Sequence, residues 1–556
     1  MHIGLFRHDP TIGDLHGAAS AIGGAAQQAW ADGLDVLVLP ELAVCGYPPR
    51  DLLLRDGFAA ACRDTVRVLA ADVPADRLLL LGAPWLGETG LSNALIACTG
   101  GAVTAIAAKR LLPAYDVFDE DRYFTPGERA CVVPFAGRRL GLLVCEDCWQ
   151  GGDVDAGPYM VDPIEDTIDA GADVLVVVSS SPFIVGKHER QRARLCEVAA
   201  AHSVDVVAVN QAGAHDDLVF DGDAIAVDTA GRLRALRAPF DTILRLDVDL
   251  EAFGRLDDPP RADIDEQRVL ALREAIAGYV HKTNAPGVLL GLSGGIDSAV
   301  VASLAVSALG PDAVDAITMP GRYTSSETRT DADAIAQSLG MRLESLGIEP
   351  VHEALRTVLG DSVQEGDLVD QNLQARARGM LLMGRSNARG SLVLACGNKS
   401  ELAVGYATLY GDMNGAMCPI GDVLKTDVYA MARWLNEHFA QVGLPKPPIP
   451  ASVIERPPSA ELCHDQCDQD SLPSYDTLDA IIRALVEVEL DDAAAAAAAG
   501  VDLAMVQQWR AVIDRAQFKR KQAPIIPKLT RRAFGRGRPW PLVQRQTGAP
   551  TPEQAI

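Results

Sequence analysis

The stretch "GLSGGIDSAV", which opens at Gly291, sets glycines, serines and an aspartate between the apolar run VLL and the apolar stretch VASLAVSAL. Gly294 and Gly295 permit close approach of backbone to a ligand. The free amides that open the next helix favour negative charge. Ser293 and Ser298 add hydroxyl donors, and Asp297 can hold a hard cation beside phosphate. A Walker loop would carry Gly-Lys-Ser/Thr, with the lysine reaching the β and γ phosphates, and that lysine is absent. A capped strand–turn–helix connection would explain the glycines but not hydroxyls and a carboxylate at the helix mouth. A second set of residues offers other chemistry: Glu41 in "LPELAVCGYPPRDLL", Lys109 in "AAKRLLPAYDVFDEDRYF" and Cys145 in "LLVCEDCW". A cysteine thiolate can attack an amide carbon, a carboxylate can shuttle its proton, and an ammonium can stabilise the oxyanion. A lone buried cysteine is usually a small apolar residue; three such contexts together make that reading weak.

Each of these residues follows or ends a strand-like apolar run, where side chains can be aimed into a common pocket. The first half alternates β-rich runs (DVLVLP, LLLLGAP, RLGLLVCED, DVLVVVSSS, DVVAVNQ) with helix-compatible segments, a layered α/β pattern. Around RLDDPPRADIDEQ the chain turns polar, and consecutive prolines predict a linker over 251–267. VLLGLS, VDAITMP and SLVLACGNKS are the strands expected of a second α/β unit with a parallel sheet. The expected domains are therefore 1–250 and 268–556, the latter with a C-terminal extension. The alanine tract at Ala493–Ala499 predicts a plain surface or packing helix.

With 556 residues, more than one domain is expected. A hydrophobic content of 48% supports large cores, and a net charge of −25 argues against nucleic-acid or anionic-membrane binding. The start MHIGLFRHDP has no signal-like core, no run is long enough to suggest a membrane span, and eleven scattered cysteines fit a reduced compartment. A cytoplasmic location is the expectation. Cys145 and Cys148 form C-x-x-C, but the other compact Cys/His group, Cys463-His464 with Cys467, falls in the other half, so metal or redox chemistry is not expected of them.

The loop Ser293–Ser298 resembles the pyrophosphate loop of the N-type ATP pyrophosphatases, which include NAD, GMP and asparagine synthetases. "DQNLQARARGMLLM" places Asn372 and Arg376, and likewise Gln374 and Arg378, at i,i+4 spacing on an expected helix. With "CGNKSELAVGYATLYGDMNGAMCPIGDVLKTDVY", "RPPSAEL" and "FKRKQAP", the second half resembles the synthetase domain of NAD synthetases. That resemblance implies a Rossmann-like parallel sheet and cleavage of ATP between its α and β phosphates. It implies magnesium at Asp297 and Glu401, ATP near Arg376 and Lys399, and polyphosphate at Lys425. It also places Asn372, Asp412 and Lys521 at the deamido-NAD site.

The first half is similar to the nitrilase superfamily, which implies an α-β-β-α sandwich with Glu41 as general base, Lys109 at the oxyanion and Cys145 as nucleophile. Glu120 matches the superfamily's additional carboxylate and Tyr115 a tyrosine of its glutaminase branch. "SSSPFIVGKHERQR" and "NQAGAHDDLVFDGDA" resemble glutamine-recognition segments, implying roles for Ser179 and Lys187, with Ser181 and Arg194 nearby. Together the halves resemble the glutamine-dependent NAD synthetases. The implied reaction turns deamido-NAD, ATP and glutamine into NAD, AMP, pyrophosphate and glutamate, in a homo-oligomer with an internal passage for ammonia. The alternatives are another glutamine-dependent amidating ligase on the same scaffold, or a non-catalytic nucleotide-binding protein. The intact Glu41, Lys109, Cys145, Asp297 and Glu401 count against the second.

Overall fold

The computed structural model describes residues 1–149, 159–252, 263–464 and 466–544. The chain divides into two compact units, Met1–Arg261 and Ala262–Ile556. Residues 253–262 of the expected linker, and the tail beyond 544, lie outside the described residues. The linker reading fails from 263 onward. Asp263 caps the helix Ile264–Lys282, its carboxylate accepting the Asp265 amide at 2.7 Å. The Asp-x-x-Glu spacing before an apolar period is a helix-start signal that outweighs the preceding prolines.

In the first unit, one six-stranded sheet runs Arg245–Asp249, His2–Phe6, Val36–Val38, Leu78–Leu86, Leu91–Thr99, Ala102–Ala108. The second runs Leu233–Arg237, Ala224–Val227, Asp205–Asn210, Val174–Ser179, Arg138–Val144, Val132–Phe135. Alternate residues of each strand point to opposite faces. Ile3, Leu5, Val36, Val38, Leu78 and Leu80 meet Leu140, Leu142, Val174, Val176 and Val207 in one buried layer between the sheets. Leu37, Leu79 and Leu81 face the helices Leu15–Ala31 and Phe58–Ala71. Leu143, Leu175 and Val177 face Pro163–Asp169 and Lys187–His202. The result is an α-β-β-α sandwich, and burial on both faces explains why the strands read as continuous apolar runs. Each such side chain contributes about 1.5–3 kcal/mol, so the core is large enough to carry charged groups at its edge.

The second unit holds a four-stranded sheet, ordered Arg342–Ser345, Val314–Thr318, Val288–Gly291, Leu392–Leu394, in which every pair is parallel. Strand order reverses between Val288–Gly291 and Leu392–Leu394, and ligands bind beyond the carboxyl ends of the strands at such a switch point. The helix Ile296–Leu309 is buried almost all round, as its largely apolar sequence, broken only by Asp297 and three serines, requires. The alanine tract lies in the helix Asp492–Ala499, where Ala495 and Ala496 join the cluster formed with Leu402, Trp509 and Phe534. Among the described residues, no helix is long and apolar enough to cross a membrane.

Candidate active sites

Cys145 ends the strand Arg138–Val144 on a turn with φ of +46°, a conformation that non-glycine residues rarely hold. Asp147 fixes that turn. Its carboxylate accepts the Val144 amide at 3.1 Å and, from the segment after Lys109, the Arg110 and Leu111 amides at 3.0 and 2.9 Å. One side chain thus ties the cysteine turn to the lysine strand. Burial pushes its carboxyl up to about 6 against those hydrogen bonds.

Lys109 is buried and donates to Glu41 at 2.7 Å and to Glu120 at 2.8 Å. Asn93 donates to the same Glu41 oxygen at 2.7 Å, the Ser180 amide takes the other at 2.7 Å, and the Tyr47 hydroxyl donates to Glu120 at 2.8 Å. Burial works against the Lys109 charge, but Glu120 and Glu41 overcome it and hold the ammonium well above its ordinary range. Burial, with Glu41 nearby, pushes the Cys145 thiol up despite Lys109. Cys145 therefore rests as a thiol and needs a base to become a nucleophile. Glu41, Lys109, Glu120 and Cys145 thus lie close enough to act on one another's charge.

The residues expected on the glutamine side are placed differently from one another. The Tyr115 hydroxyl donates to Glu146, the residue after Cys145, at 3.0 Å, and Tyr159 donates to the same carboxylate at 2.8 Å. Lys187 donates to Ser181 Oγ at 2.7 Å, and Ser181 is further held by Gln191 and Asn210. Ser179 is the last residue of the strand Val174–Ser179. It lines a small cavity of about 50 Å³ with Cys145, Cys148 and Asn210. Tyr47, Asn93, Glu146, Asp147 and Ser180 were missed by sequence. Only Glu146 and Asp147 had a local signal, in VCED.

In the second unit a cavity of about 350 Å³ is lined by the whole loop Ser293–Ser298, the strand end Leu394–Gly397, and Arg378, Glu401, Asp412, Lys425 and Arg456. The loop is held by its own hydroxyls, with Ser298 Oγ 3.1 Å from Ser293 Oγ and donating to Gly295 O at 3.0 Å. Lys425 Nζ lies 2.5 Å from Asp297 and 3.2 Å from Glu401. Asn398 donates to Asp297 at 3.0 Å and caps the helix Lys399–Val404 through the Glu401 amide. Burial pushes the Glu401 carboxyl up to about 8 in spite of Lys425. Burial likewise pushes Asp412 up to about 6.

Four expected binding residues stand outside this cavity's lining. Arg376 is exposed and donates to the Leu409 carbonyl at 3.2 Å. On the helix Leu368–Arg389 the inward pair is Gln374 and Arg378, and burial pulls Arg378 down to about 10. The i,i+4 spacing was read correctly, but nothing in the sequence said which pair faced inward. Lys399 is fully buried and engaged by Asp422, Glu487 and Thr530. Asn372 accepts from Thr408, whose amide donates to Asp412, so it touches the site through one intermediary. Lys521 is exposed; Lys519, two residues earlier, reaches inward to the Gly405 and Ala407 carbonyls.

The NAD synthase family model matches residues 268–523. The chain is 39% identical to the glutamine-dependent NAD(+) synthetase of a Synechocystis species over 98% of both chains. It is 40% identical to that of Xanthomonas campestris over 92% of both. The structure of glutamine-dependent NAD+ synthetase from Acinetobacter baumannii in complex with adenosine diphosphate superposes with a TM-score of 0.75, at 34% identity and 98% coverage of both chains. With such identity sustained along nearly their full length, the chain belongs to the family of glutamine-dependent NAD(+) synthetases.

Proposed function

We propose that the first unit releases ammonia from glutamine and the second uses ATP to amidate deamido-NAD, giving NAD, AMP, pyrophosphate and glutamate. The observation that carries this reading is the presence on one chain of the Glu41–Lys109–Cys145 cluster and of an anion loop, free of a Walker lysine, beside Asp297, Glu401 and Lys425. Cys145 Sγ attacks the glutamine carboxamide carbon as Glu41 takes the thiol proton. Lys109 stabilises the tetrahedral oxyanion, Glu41 delivers the proton to the departing ammonia, and water then cleaves the thioester to glutamate. Tyr115, Glu120, Ser181 and Lys187 hold the substrate or the charges around it.

In the second unit the deamido-NAD carboxylate attacks the α-phosphorus of ATP. The loop amides and the Ser293 and Ser298 hydroxyls retain pyrophosphate, and ammonia displaces AMP from the acyl adenylate. Asp297 and Glu401 both line the cavity beside the loop and both pair with Lys425; these two hard carboxylate donors would hold a magnesium ion next to the phosphates. Among the described residues no group of three His, Cys, Asp or Glu is gathered to hold a metal unaided. Bound there, the ion would neutralise charge on the α and β phosphates. A homo-oligomer is supported by the outer face of the helix Leu368–Arg389, where Val369, Met380 and Met383 are exposed together with Arg376. A cytoplasmic location agrees with the free thiols. The test of the whole reading is product analysis with deamido-NAD, magnesium-ATP and glutamine. NAD with AMP supports it; ADP with orthophosphate, or turnover only of xanthosine monophosphate or aspartate, overturns it.

A further inference from the structure

The Lys399 ammonium is 0% exposed and saturated within the protein. It lies 2.6 Å from Glu487, 2.9 Å from Asp422, 2.8 Å from Thr530 Oγ1 and 3.1 Å from the Arg532 carbonyl. An ammonium has three protons to donate, so none is left for a phosphate. Its partners Thr530 and Arg532 lie beyond the span 268–523 that matches the NAD synthase family. Asp422 completes the junction: its other carboxylate oxygen accepts the Leu529 and Thr530 amides, each at 2.7 Å. The Lys399 amide donates to the Val423 carbonyl at 2.9 Å, and the Lys425 amide donates to Ser400 Oγ at 2.9 Å. At the far end of the helix Lys399–Val404, Arg520 donates to the Leu402 and Ala403 carbonyls and Lys519 to the Gly405 carbonyl. The C-terminal segment therefore grips both ends of the short helix that carries Glu401.

We infer that Lys399 is a positioning residue, which with Asp422 and Thr530 ties the C-terminal segment 528–534 to the two turns that present Glu401 and Lys425 to the nucleotide cavity. This rests on the proposed reading of that cavity as the ATP site. The geometry leaves Lys399 no contact with the cavity, yet its neighbours in sequence carry the polar groups that converge there. Asn398 donates to Asp297, and Glu401 faces Lys425. Loosening the junction would let the two carboxylates and the lysine drift apart without removing any of them.

The full-length chain with Lys399→Met, with Thr530→Val and with both changes tests this. Ammonium-dependent NAD formation is followed against magnesium concentration, ATP affinity is measured without magnesium, and amide hydrogen exchange is followed over 528–534. Each single change should lower kcat and raise the magnesium needed for half-maximal rate by roughly tenfold or more, the range found when outer-shell partners of a metal site are lost. The double change should cost little more than either single one, because both open the same junction. Exchange over 528–534 should accelerate in all three, with ATP affinity in the absence of magnesium held within about threefold. Thr530→Val removes a hydroxyl rather than a buried charge, so it carries the test if Lys399→Met fails to fold. Lys399→Met that weakens magnesium-free ATP binding while the tail keeps its protection would make Lys399 an ATP ligand and overturn the inference. So would additive losses or an unchanged magnesium dependence. A wild-type chain that forms no NAD would instead strike the reading of the cavity.

Discussion

Cys145 illustrates how a residue acquires its role from its surroundings. Burial and Glu41 keep its thiol protonated, so its reactivity depends on the proton having a place to go. Cys145→Ala should abolish glutamine-dependent NAD formation, by on the order of a thousandfold or more. The rate with added ammonium should stay within about twofold, because the second unit's groups are untouched. Equal loss with both nitrogen donors, in a folded variant, would remove the division of labour between the two sites. Glu120 makes a prediction about pH. One ammonium, Lys109, serves two carboxylates, and burial first, with Glu41 beside it, pushes the Glu120 carboxyl up to about 7 even though Lys109 opposes. Over that range the folded protein keeps a proton that the unfolded chain releases. The stability this gives is complete below the ordinary carboxylate value and is lost as pH rises through about 7. Between about pH 5 and pH 8 the wild type should lose up to about 3 kcal/mol more stability than Glu120→Gln. Urea unfolding at the two pH values measures it, and parallel slopes would refute the assignment.

At the scale of elements, the strand ends and the first turns after them do most of the positioning. The loop between Val288–Gly291 and Ile296–Leu309 depends on one glycine more than on its neighbour. Gly294 has φ of +85°, and a Cβ there would lie 2.2 Å from the Thr328 carbonyl oxygen. Gly295 has ordinary extended backbone, and its Cβ would meet only Ser293 Oγ, at 3.3 Å. Gly294→Ala should therefore cost about 1–3 kcal/mol or more from backbone strain and overlap, and Gly295→Ala less than about 1 kcal/mol. Thermal unfolding of the two variants decides between them; comparable losses would show that the loop does not rest on the Thr328 contact. The helix Leu368–Arg389 shows the limit of reading elements from sequence. Its spacing identified two side-chain pairs, but which one is inward follows from the face that presents Ala375, Arg378, Gly379 and Leu382 to the cavity.

For the whole molecule, the two chemistries can be told apart by where oxygen travels. Hydrolysis of the thioester should carry oxygen-18 from labelled water into glutamate and not into NAD. Oxygen-18 in the deamido-NAD carboxylate should appear in AMP, because that oxygen attacks the α-phosphorus and leaves with it. Label in pyrophosphate or orthophosphate would place the attack on another phosphorus and remove the loop's role. Asp297→Ala should lower synthesis with either nitrogen donor by at least about a hundredfold, since its carboxylate stands at the point where Lys425 and Glu401 converge. Retained ammonium-dependent synthesis in that variant would sink the assignment.

Much of this is legible in the sequence. The apolar runs became strands because a chain buried on both faces has no room for polar residues. Glu41, Lys109 and Cys145 were recognisable because each ends such a run, and Ser293–Ser298 because an anion loop needs glycine and hydroxyls in a short span. Local sequence determines where a strand stops and what the next residue is. It does not determine which distant segments meet. Asn93, Ser180 and Tyr47 lie far from the residues they hold, and Lys399, next to the metal-site candidates in sequence, points the other way into a junction with Thr530. Direction, partners and burial of a side chain are properties of the packed chain, so only the tertiary structure decided that Arg378 and Lys519 face inward where Arg376 and Lys521 had been expected.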